Sequence, residues 1–278
     1  MITKKRLLIS IFTHNRPDAL AVNLMGLHQQ TYDEFDILII DDASEPRIDD
    51  NELVKVIVKG LINDDISVKF KYFKKNSGIA TNRSLMLNEL KQYDYVMDLN
   101  DDHFMERDCL MNMIRTLSRD DVCVVGSATP MFFWTKEEST RVYNGQVLND
   151  IFMKDNQIQL KRGVDYLYFN EAGEQMIEPI EMPHVSQFMY KPEYLDELPM
   201  GYSILGFTEE TDLALRLKKN SGRKLMFQPN AVNWHLQYKV GGIREISKKD
   251  HAAMIQSDWV LFCANWFDWV KINCGVRK

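Results

Sequence analysis

The chain has few of the residues that mark secreted, membrane-spanning or nucleic-acid-binding proteins. Its 278 residues include only four cysteines, Cys109, Cys123, Cys263 and Cys274. They form no CxxC pair and follow no export signal, which argues against a disulfide framework and for reduced thiols in a cytoplasm. No run of about 18 uncharged apolar residues occurs, so no membrane-spanning helix is expected. Residues 1–12 begin basic and turn apolar as a signal peptide does, but the run is short and His14-Asn15-Arg16 stands where a small-residue cleavage site belongs. The segment reads instead as a buried first strand. A basic excess is also missing: 34 Lys plus Arg against 40 Asp plus Glu give a net charge of −6. The basic residues fall in short groups such as Lys4-Lys5-Arg6 and Lys74-Lys75, which disfavours nucleic acid without removing room for a local basic groove.

What the chain does have is alternation. Residues 7–12, 35–40, 68–73, 95–99 and 122–125 are apolar and strand-like, and helical patterns at 17–30, 80–90 and 107–117 separate them. Strands alternating with helices of this length predict an α/β fold with a mostly parallel sheet flanked by helices. Such sheets bind ligands beyond the carboxyl ends of their strands. The residues at those ends are Thr13-His14-Asn15, Asp41-Asp42-Ala43-Ser44, Asn76-Ser77-Gly78 and Asn100-Asp101-Asp102-His103. Four consecutive strands thus end in Asp, Asn and Thr, which points to one shared site rather than four solvated loops. From 132 to 182 the alternation fades into a polar, aromatic-containing stretch, read as an insertion of short strands and loops on the substrate side or over one face of the sheet. Regular pattern resumes as a strand at 185–190, a helix at 209–219 ended near Gly222, and a strand at 224–227.

Two acidic groups stand out. The strand around Tyr95 runs into Asn100-Asp101-Asp102, and hard oxygen ligands at a strand end suit Mg²⁺ or Mn²⁺. Glu209-Glu210-Thr211-Asp212 opens a helix, where the helix dipole alone favours acids. Downstream lies Pro229-Asn230-Ala231-Val232-Asn233-Trp234-His235.

In order and spacing, these pieces resemble the family 2 glycosyltransferases, inverting enzymes with the nucleotide-sugar-binding GT-A fold. The matching segments are Ile9 through Pro17 with Thr13-His14-Asn15-Arg16, Gln30-Thr31-Tyr32 ahead of Asp41-Asp42, Asn76-x-Gly78-Ile79-Ala80, Asn100-Asp101-Asp102, Glu209-Glu210-Thr211-Asp212-Leu213 with Arg216-Leu217, and Pro229-x-Ala231 ahead of His235. The resemblance spans residues 6–236 and covers 132–182 and the tail poorly. It implies sugar transfer from a nucleoside diphosphate sugar, a UDP-sugar first, to an acceptor hydroxyl in glycan or polysaccharide synthesis. Asp102 would hold a Mn²⁺ or Mg²⁺ ion bridging the phosphates, with His235 a second ligand or a diphosphate contact. Asp101 would face the ribose or the sugar, and Asp42, with Thr13 beside it, the base or ribose. Asn15, Asp41, Asn76, Gly78 and Asn100 complete the nucleotide-sugar side, and Arg83 is either a phosphate contact or a solvated helical residue.

Glu210 aligns with the family's general base. Glu209 is the neighbour easily confused with it, and Asp212 supports the helix start or orients the acceptor. His184 and Gln187 are candidate acceptor contacts. Two departures are visible: Asn100 replaces the first Asp of the DxD pattern, and Glu stands at 210 where Asp is commoner. A sugar-nucleotide pyrophosphorylase would need a glycine-rich loop after the first strand, which Thr13-His14-Asn15-Arg16 is not. Two alternatives stay open, transfer to a non-glycan acceptor such as a modified nucleobase or a protein side chain, and a nucleotide-sugar-binding module without catalysis.

The boundaries follow: a catalytic domain at 1–236, then a lid loop around Gly241-Gly242 and a C-terminal helix at 250–272 carrying Trp259, Phe262, Trp266, Phe267 and Trp269. That helix is expected to pack on the catalytic domain, with a homodimer contact as the alternative. The protein is expected in the cytoplasm, free or on the inner face of a membrane.

Overall fold

The computed structural model describes residues 6–130, 141–143, 148–162, 165–167, 180–181 and 187–277. The first half alternates β1 (Leu7–Thr13), α1 (Pro17–His28), β2 (Phe35–Asp42), α2 (Glu52–Asn63), β3 (Val68–Phe73), the short helices α3 (Ile79–Ser84) and α4 (Leu87–Leu90), β4 (Tyr95–Asn100), β5 (His103–Met105), α5 (Cys109–Leu117) and β6 (Val122–Ala128). Two antiparallel pairs follow, β7 (Arg141–Tyr143) with β10 (Asp165–Leu167) and β8 (Leu148–Lys154) with β9 (Gln157–Arg162). The chain continues through β11 (Ile180–Glu181), β12 (Phe188–Tyr190), α6 (Glu209–Ser221), β13 (Lys224–His235) and α7 (Lys248–Asn273). The expected insertion at 132–182 falls largely outside the described residues.

Nine strands form one sheet in the order β11-β13-β6-β12-β4-β1-β2-β3, with β5 paired to β13. Strands β1, β2, β3, β4, β6 and β13 point the same way, whereas β5, β11 and β12 oppose them. The sheet is therefore mixed and mostly parallel, and the carboxyl ends of the parallel strands share an edge.

Period-two alternation decides which face each residue covers. In β1, Leu7, Ile9 and Ile11 join Leu20 and Leu24 of α1, Val54 and Leu61 of α2 and Leu110 and Ile114 of α5 in one core. Leu8 points the other way, toward Leu90 of α4, Phe188 of β12 and Leu213 and Leu217 of α6. Ser10, on that second face, is fully buried and its Oγ donates to Asp98 Oδ1 at 2.5 Å. This polar position lies under the site. Local chemistry sets the helix ends: Pro17 occupies the first turn of α1, the Asn51 side chain accepts from Leu53 and Val54 at the start of α2, and Gly222 ends α6 in the left-handed region.

The structure departs from the sequence pattern in several places, among them the unexpected short strand β5. A helix, α2, occupies 52–63, where no element was expected. The helix expected over 80–90 is broken at Leu85-Met86 into α3 and α4. The strand expected to end at Phe227 continues to His235, passing Pro229 by a register shift between Gln228 and Val232, because proline cannot donate to the ladder.

The C-terminal helix packs on its own chain. Its buried residues, Asp258, Phe262, Trp266 and Val270, recur every four positions and form one stripe. The three apolar ones cluster with Ile151 and Met153 of β8, Ile158 of β9 and Leu215 of α6. Among the described residues no helix is long and apolar enough to cross a membrane. Because Phe262 is 0% exposed, Phe262→Ala is expected to cost about 3–5 kcal/mol, whereas Asp268→Asn on the exposed face stays within about 0.5 kcal/mol of wild type. Urea denaturation of both variants checks this, and a small loss for Phe262→Ala would mean that α7 is not part of the core.

Candidate functional site

A cavity of about 530 Å³ opens at the shared carboxyl edge, within the range that small-ligand sites occupy. Strand ends supply one wall through Phe12, Thr13, Asp42, Asn76, Gly78, Asn100, Asp101 and Asp102. The loop before α6 and the start of α6 supply the other, from Ile204 to Thr211, and Ile243, Ile246 and Ile255 close the far end.

Several of the expected residues shape this edge through backbone contacts. Asp42 accepts from Ser77 N at 3.0 Å and Gly78 N at 2.8 Å, pinning the turn after β3. Gly78 has φ +82°, and a Cβ there would lie 2.5 Å from the Ile204 carbonyl oxygen. Only glycine lets the two walls approach so closely. Asp41 accepts from Ser44 N and Ile48 N, and Asn15 accepts from Glu45 N while its own N–H reaches Ser44 Oγ. These two hold loops behind the cavity and do not line it. Gln187 does line it, and accepts from Asn100 N at 3.1 Å. His184 lies outside the described residues.

The acids after β4 are buried and held by one arginine. Arg16 donates to Asp101 Oδ1 at 2.8 Å and to Asp102 Oδ2 at 3.0 Å, and Thr13 Oγ1 donates to Asp101 Oδ2 at 2.8 Å. Arg16 also reaches the carbonyl oxygens of Tyr238 (2.6 Å) and Val240 (3.0 Å), and Gly242 N donates to the His14 carbonyl at 2.9 Å. The segment expected as a lid is thus strapped onto the loop after β1. At Gly241 a Cβ would lie 2.5 Å from the Asn15 carbonyl oxygen, so this docking also requires glycine. Burial, with the neighbouring Asp102, pushes the Asp101 carboxyl up to about 7 despite Arg16.

Asp102 sits between two imidazoles. Pairing of β5 with β13 sets His103 opposite His235, and their rings stack with centroids 4.6 Å apart and planes 4° from parallel. His103 Nδ1 is 3.5 Å from Asp102 Oδ1, and His235 Nε2 is 3.4 Å from Asp102 Oδ2. One ligand atom from each residue lies within 4.8 Å of the others. Burial opposes ionisation of Asp102, but the imidazoles hold it well below the usual carboxylate range. His103 is fully buried, burial lowers its pKa to about 4, and neither ring nitrogen has a hydrogen-bond partner. A neutral imidazole with uncommitted nitrogens beside an ionised carboxylate is a donor set for a borderline divalent cation such as Mn²⁺. His103 was not among the expected ligands, because its pairing with β13 is not visible in local sequence.

The second acidic group divides its labour. Glu209 is fully buried, and both its oxygens accept from Arg83 Nη1, at 2.7 and 2.5 Å. Arg83 Nε lies 3.0 Å from Asp98 Oδ2. Arg83 is 1% exposed and is not among the residues lining the cavity; it is not solvated, and its guanidinium is turned to Asp98 and Glu209 beneath the floor. One buried cation thus faces two buried carboxylates, and burial pushes the Glu209 carboxyl up to about 7 against the pull of Arg83. Glu210, by contrast, is half-buried and stands in the cavity wall. Asp212 is buried away from the cavity, accepting from Tyr202 Oη at 2.8 Å, Arg216 Nε at 2.6 Å and Asn265 Nδ2 of α7 at 3.2 Å.

Comparison with known proteins places this arrangement. The model of glycosyl transferase family 2 matches residues 9–178, and no curated protein matches. Among solved structures, GalNAc-T7 with UDP, GalNAc and Mn²⁺ is similar with a TM-score of 0.68 at 17% identity, over 97% of this chain and 49% of that one. TarS from S. aureus gives 0.56 at 12% identity, over 93% of this chain and 40% of that one. The mannosyltransferase PcManGT from Pyrobaculum calidifontis, in complex with GDP-Man and Mn²⁺, gives 0.56 at 15% identity, over 93% and 65%. The chain therefore spans about half the length of the first of these structures. The shared architecture and the matching family model lead to one conclusion: the chain belongs to glycosyl transferase family 2 and has the GT-A fold.

Proposed function

We propose that the protein moves a sugar from a nucleoside diphosphate sugar, a UDP-sugar first, to an acceptor hydroxyl by a single inverting displacement that uses a divalent cation. The observation that carries this reading is the placement of Asp102, His235 and Glu210 in the wall of one cavity, with His103 stacked behind His235. Mn²⁺ accompanies UDP in the GalNAc-T7 structure and GDP-Man in the PcManGT structure, which supports a diphosphate donor and a cation here. Held by Asp102, His103 and His235, the cation would offset the charge that builds on the departing diphosphate.

The remaining work belongs to the chain itself. Asp42, Asn76, Asn100 and Asp101 offer hydrogen bonds along the donor wall. Glu210 takes the proton from the acceptor hydroxyl: both glutamates line the cavity, but Glu209 is fully buried with both oxygens on Arg83, whereas Glu210 is half-buried. Ile204, Leu205, Phe207 and Ile255 keep water from competing with the acceptor. A glycan hydroxyl is the acceptor this reading favours.

Thermal stabilisation by a panel of nucleotide sugars with Mn²⁺ identifies the donor, because ligand bound to the native state raises its stability. With that donor, Asp102→Ala and Glu210→Gln are each expected to lower turnover at least about 100-fold, and His103→Ala to weaken Mn²⁺ binding about 10- to 100-fold in a calorimetric titration. Wild-type turnover in both of the first two variants would refute the mechanism.

Glu209 gives an independent signature. Its folded value of about 7 exceeds its ordinary 4.5, so the native state binds more protons and this group's contribution to stability is lost as pH rises from 4.5 through 7. The window is worth on the order of 3 kcal/mol. Glu209→Gln is expected to flatten the change in urea midpoint between pH 5 and pH 8, leaving the part due to Asp101; an unchanged slope would assign the proton elsewhere.

A further inference from the structure

The loop that precedes α6 forms much of the cavity wall opposite the strand ends, and its internal bonds gather on Ser203, whose carbonyl accepts from Gly206 N at 3.0 Å and whose Oγ accepts from Leu205 N at 3.2 Å. Ser203 to Thr208 contains two residues in the left-handed region, Gly206 (φ +62°) and Thr208 (φ +67°), and Ile204, Leu205, Gly206, Phe207 and Thr208 all face the cavity. Such a loop needs an external anchor to keep one conformation. The anchor is a carboxylate on the C-terminal helix. Asp258 is 1% exposed; its Oδ1 accepts from Ser203 N at 2.7 Å, and its Oδ2 accepts from Ser203 Oγ at 2.8 Å and Phe207 N at 2.8 Å. The three bonds fix both ends of the 203–207 segment. Glu209 N then donates to the Gly206 carbonyl at 3.1 Å, so the first turn of α6 starts from this anchored loop.

Other contacts show that α7 belongs to the site. Its residues His251 and Ile255 line the cavity, and Asn265 reaches Asp212 on α6. Asp258 begins the same buried stripe that continues as Phe262, Trp266 and Val270, so the apolar part of the helix seats the carboxylate. A buried carboxylate in an otherwise apolar stripe is costly unless its oxygens are satisfied, and here every identified partner is on the loop that walls the cavity.

We propose that Asp258 is a positioning residue for sugar transfer: by clamping residues 203–207 it sets the acceptor-side wall and the location of Glu210, which makes the C-terminal helix part of the catalytic unit. The proposal rests on the reading of Glu210 as the base. Asp258→Asn keeps the size of the side chain, but its amide can satisfy either the Ser203 N–H or the Phe207 N–H with its single oxygen, leaving the other amide facing an NH₂ group or unbonded.

The test uses the full chain with three readouts. Hydrogen exchange followed by mass spectrometry is expected to show the peptide covering 203–210 exchanging about tenfold faster or more in Asp258→Asn, while peptides from β1 and β4 keep wild-type rates. Titration with Mn²⁺ alone is expected to give affinity within about twofold of wild type, because the ligand set is on other elements. With the sugar nucleotide that the wild type turns over, kcat is expected to fall about tenfold while KM for the nucleotide stays within about twofold. Ser203→Ala removes the Oγ bond to Asp258 together with the Leu205 N–H bond to the same Oγ and keeps both backbone bonds to Asp258; it is expected to move exchange and kcat in the same direction by a smaller factor, and it carries the test if Asp258→Asn does not fold. Unchanged exchange and kcat would overturn the proposal, and so would a loss of Mn²⁺ affinity and a rise in KM in step with kcat, since that pattern means general damage. Should the wild type turn over no sugar nucleotide, the functional reading fails while the exchange and Mn²⁺ results still decide whether Asp258 clamps the wall.

Discussion

One buried guanidinium carries much of the site. Arg83 lies on α3 beneath the cavity floor, between Asp98 of β4 and Glu209 of α6, and so joins the strand that leads into Asp101 and Asp102 to the helix that carries Glu210. Phe12 at the end of β1 covers its face, 5.6 Å from the guanidinium carbon. Burial opposes its charge, yet the two carboxylates hold its pKa far above the ordinary range. Removing one partner of such a pair leaves the other charge buried and costs about 3–5 kcal/mol, so the three residues are retained or lost together. With Arg83 fixed, Glu209 is spoken for. The adjacent Glu210, one residue further round the first turn of α6, is half-buried in the cavity wall.

Much of this was legible in the sequence, for identifiable reasons. A parallel sheet collects the residues after its strands at one edge, so Thr13, Asp42, Asn76, Gly78, Asn100, Asp101 and Asp102 could be grouped from strand pattern alone, and the structure lines one cavity with all seven. Asp41 and Asn15 come from the same strand ends but turn toward loop amides, a distinction that depends on side-chain direction within a turn. The second helix escaped notice because its buried residues, Val54, Ile57, Val58 and Leu61, are interleaved with exposed Leu53, Val56 and Ile62, which blurs the helical stripe.

Where sequence reasoning missed a residue or left its role open, that role depends on contacts across the fold. His103 follows a recognisable acid pair, but its relation to His235 exists only once β5 pairs with β13. Arg83 reads from sequence as either a phosphate contact or a solvated helical residue, since nothing local signals that Asp98 and Glu209 converge on it. Asp258 reads as an interruption of an aromatic helix; its meaning comes from the Ser203 and Phe207 amides. In each case a polar side chain is buried against at least one partner more than 45 positions away, and a buried polar group needs its partners to exist.

Charge balance connects these features. A cluster of carboxylates at one edge would repel itself apart without compensation. Below the cavity Arg83 serves Asp98 and Glu209, and above it Arg16 serves Asp101 and Asp102. The two arginines differ in what else they hold. Arg83 bonds only to elements of the sheet and its covering helices, whereas Arg16 also grips the carbonyl oxygens of Tyr238 and Val240, and the strap so held contributes Gly242, Ile243 and Arg244 to the cavity wall. A group that draws on Asp102 therefore acts on the residue that anchors the strap. The net charge of −6 hides this arrangement, because the acids at this edge are already matched locally by two buried or half-buried arginines and two imidazoles.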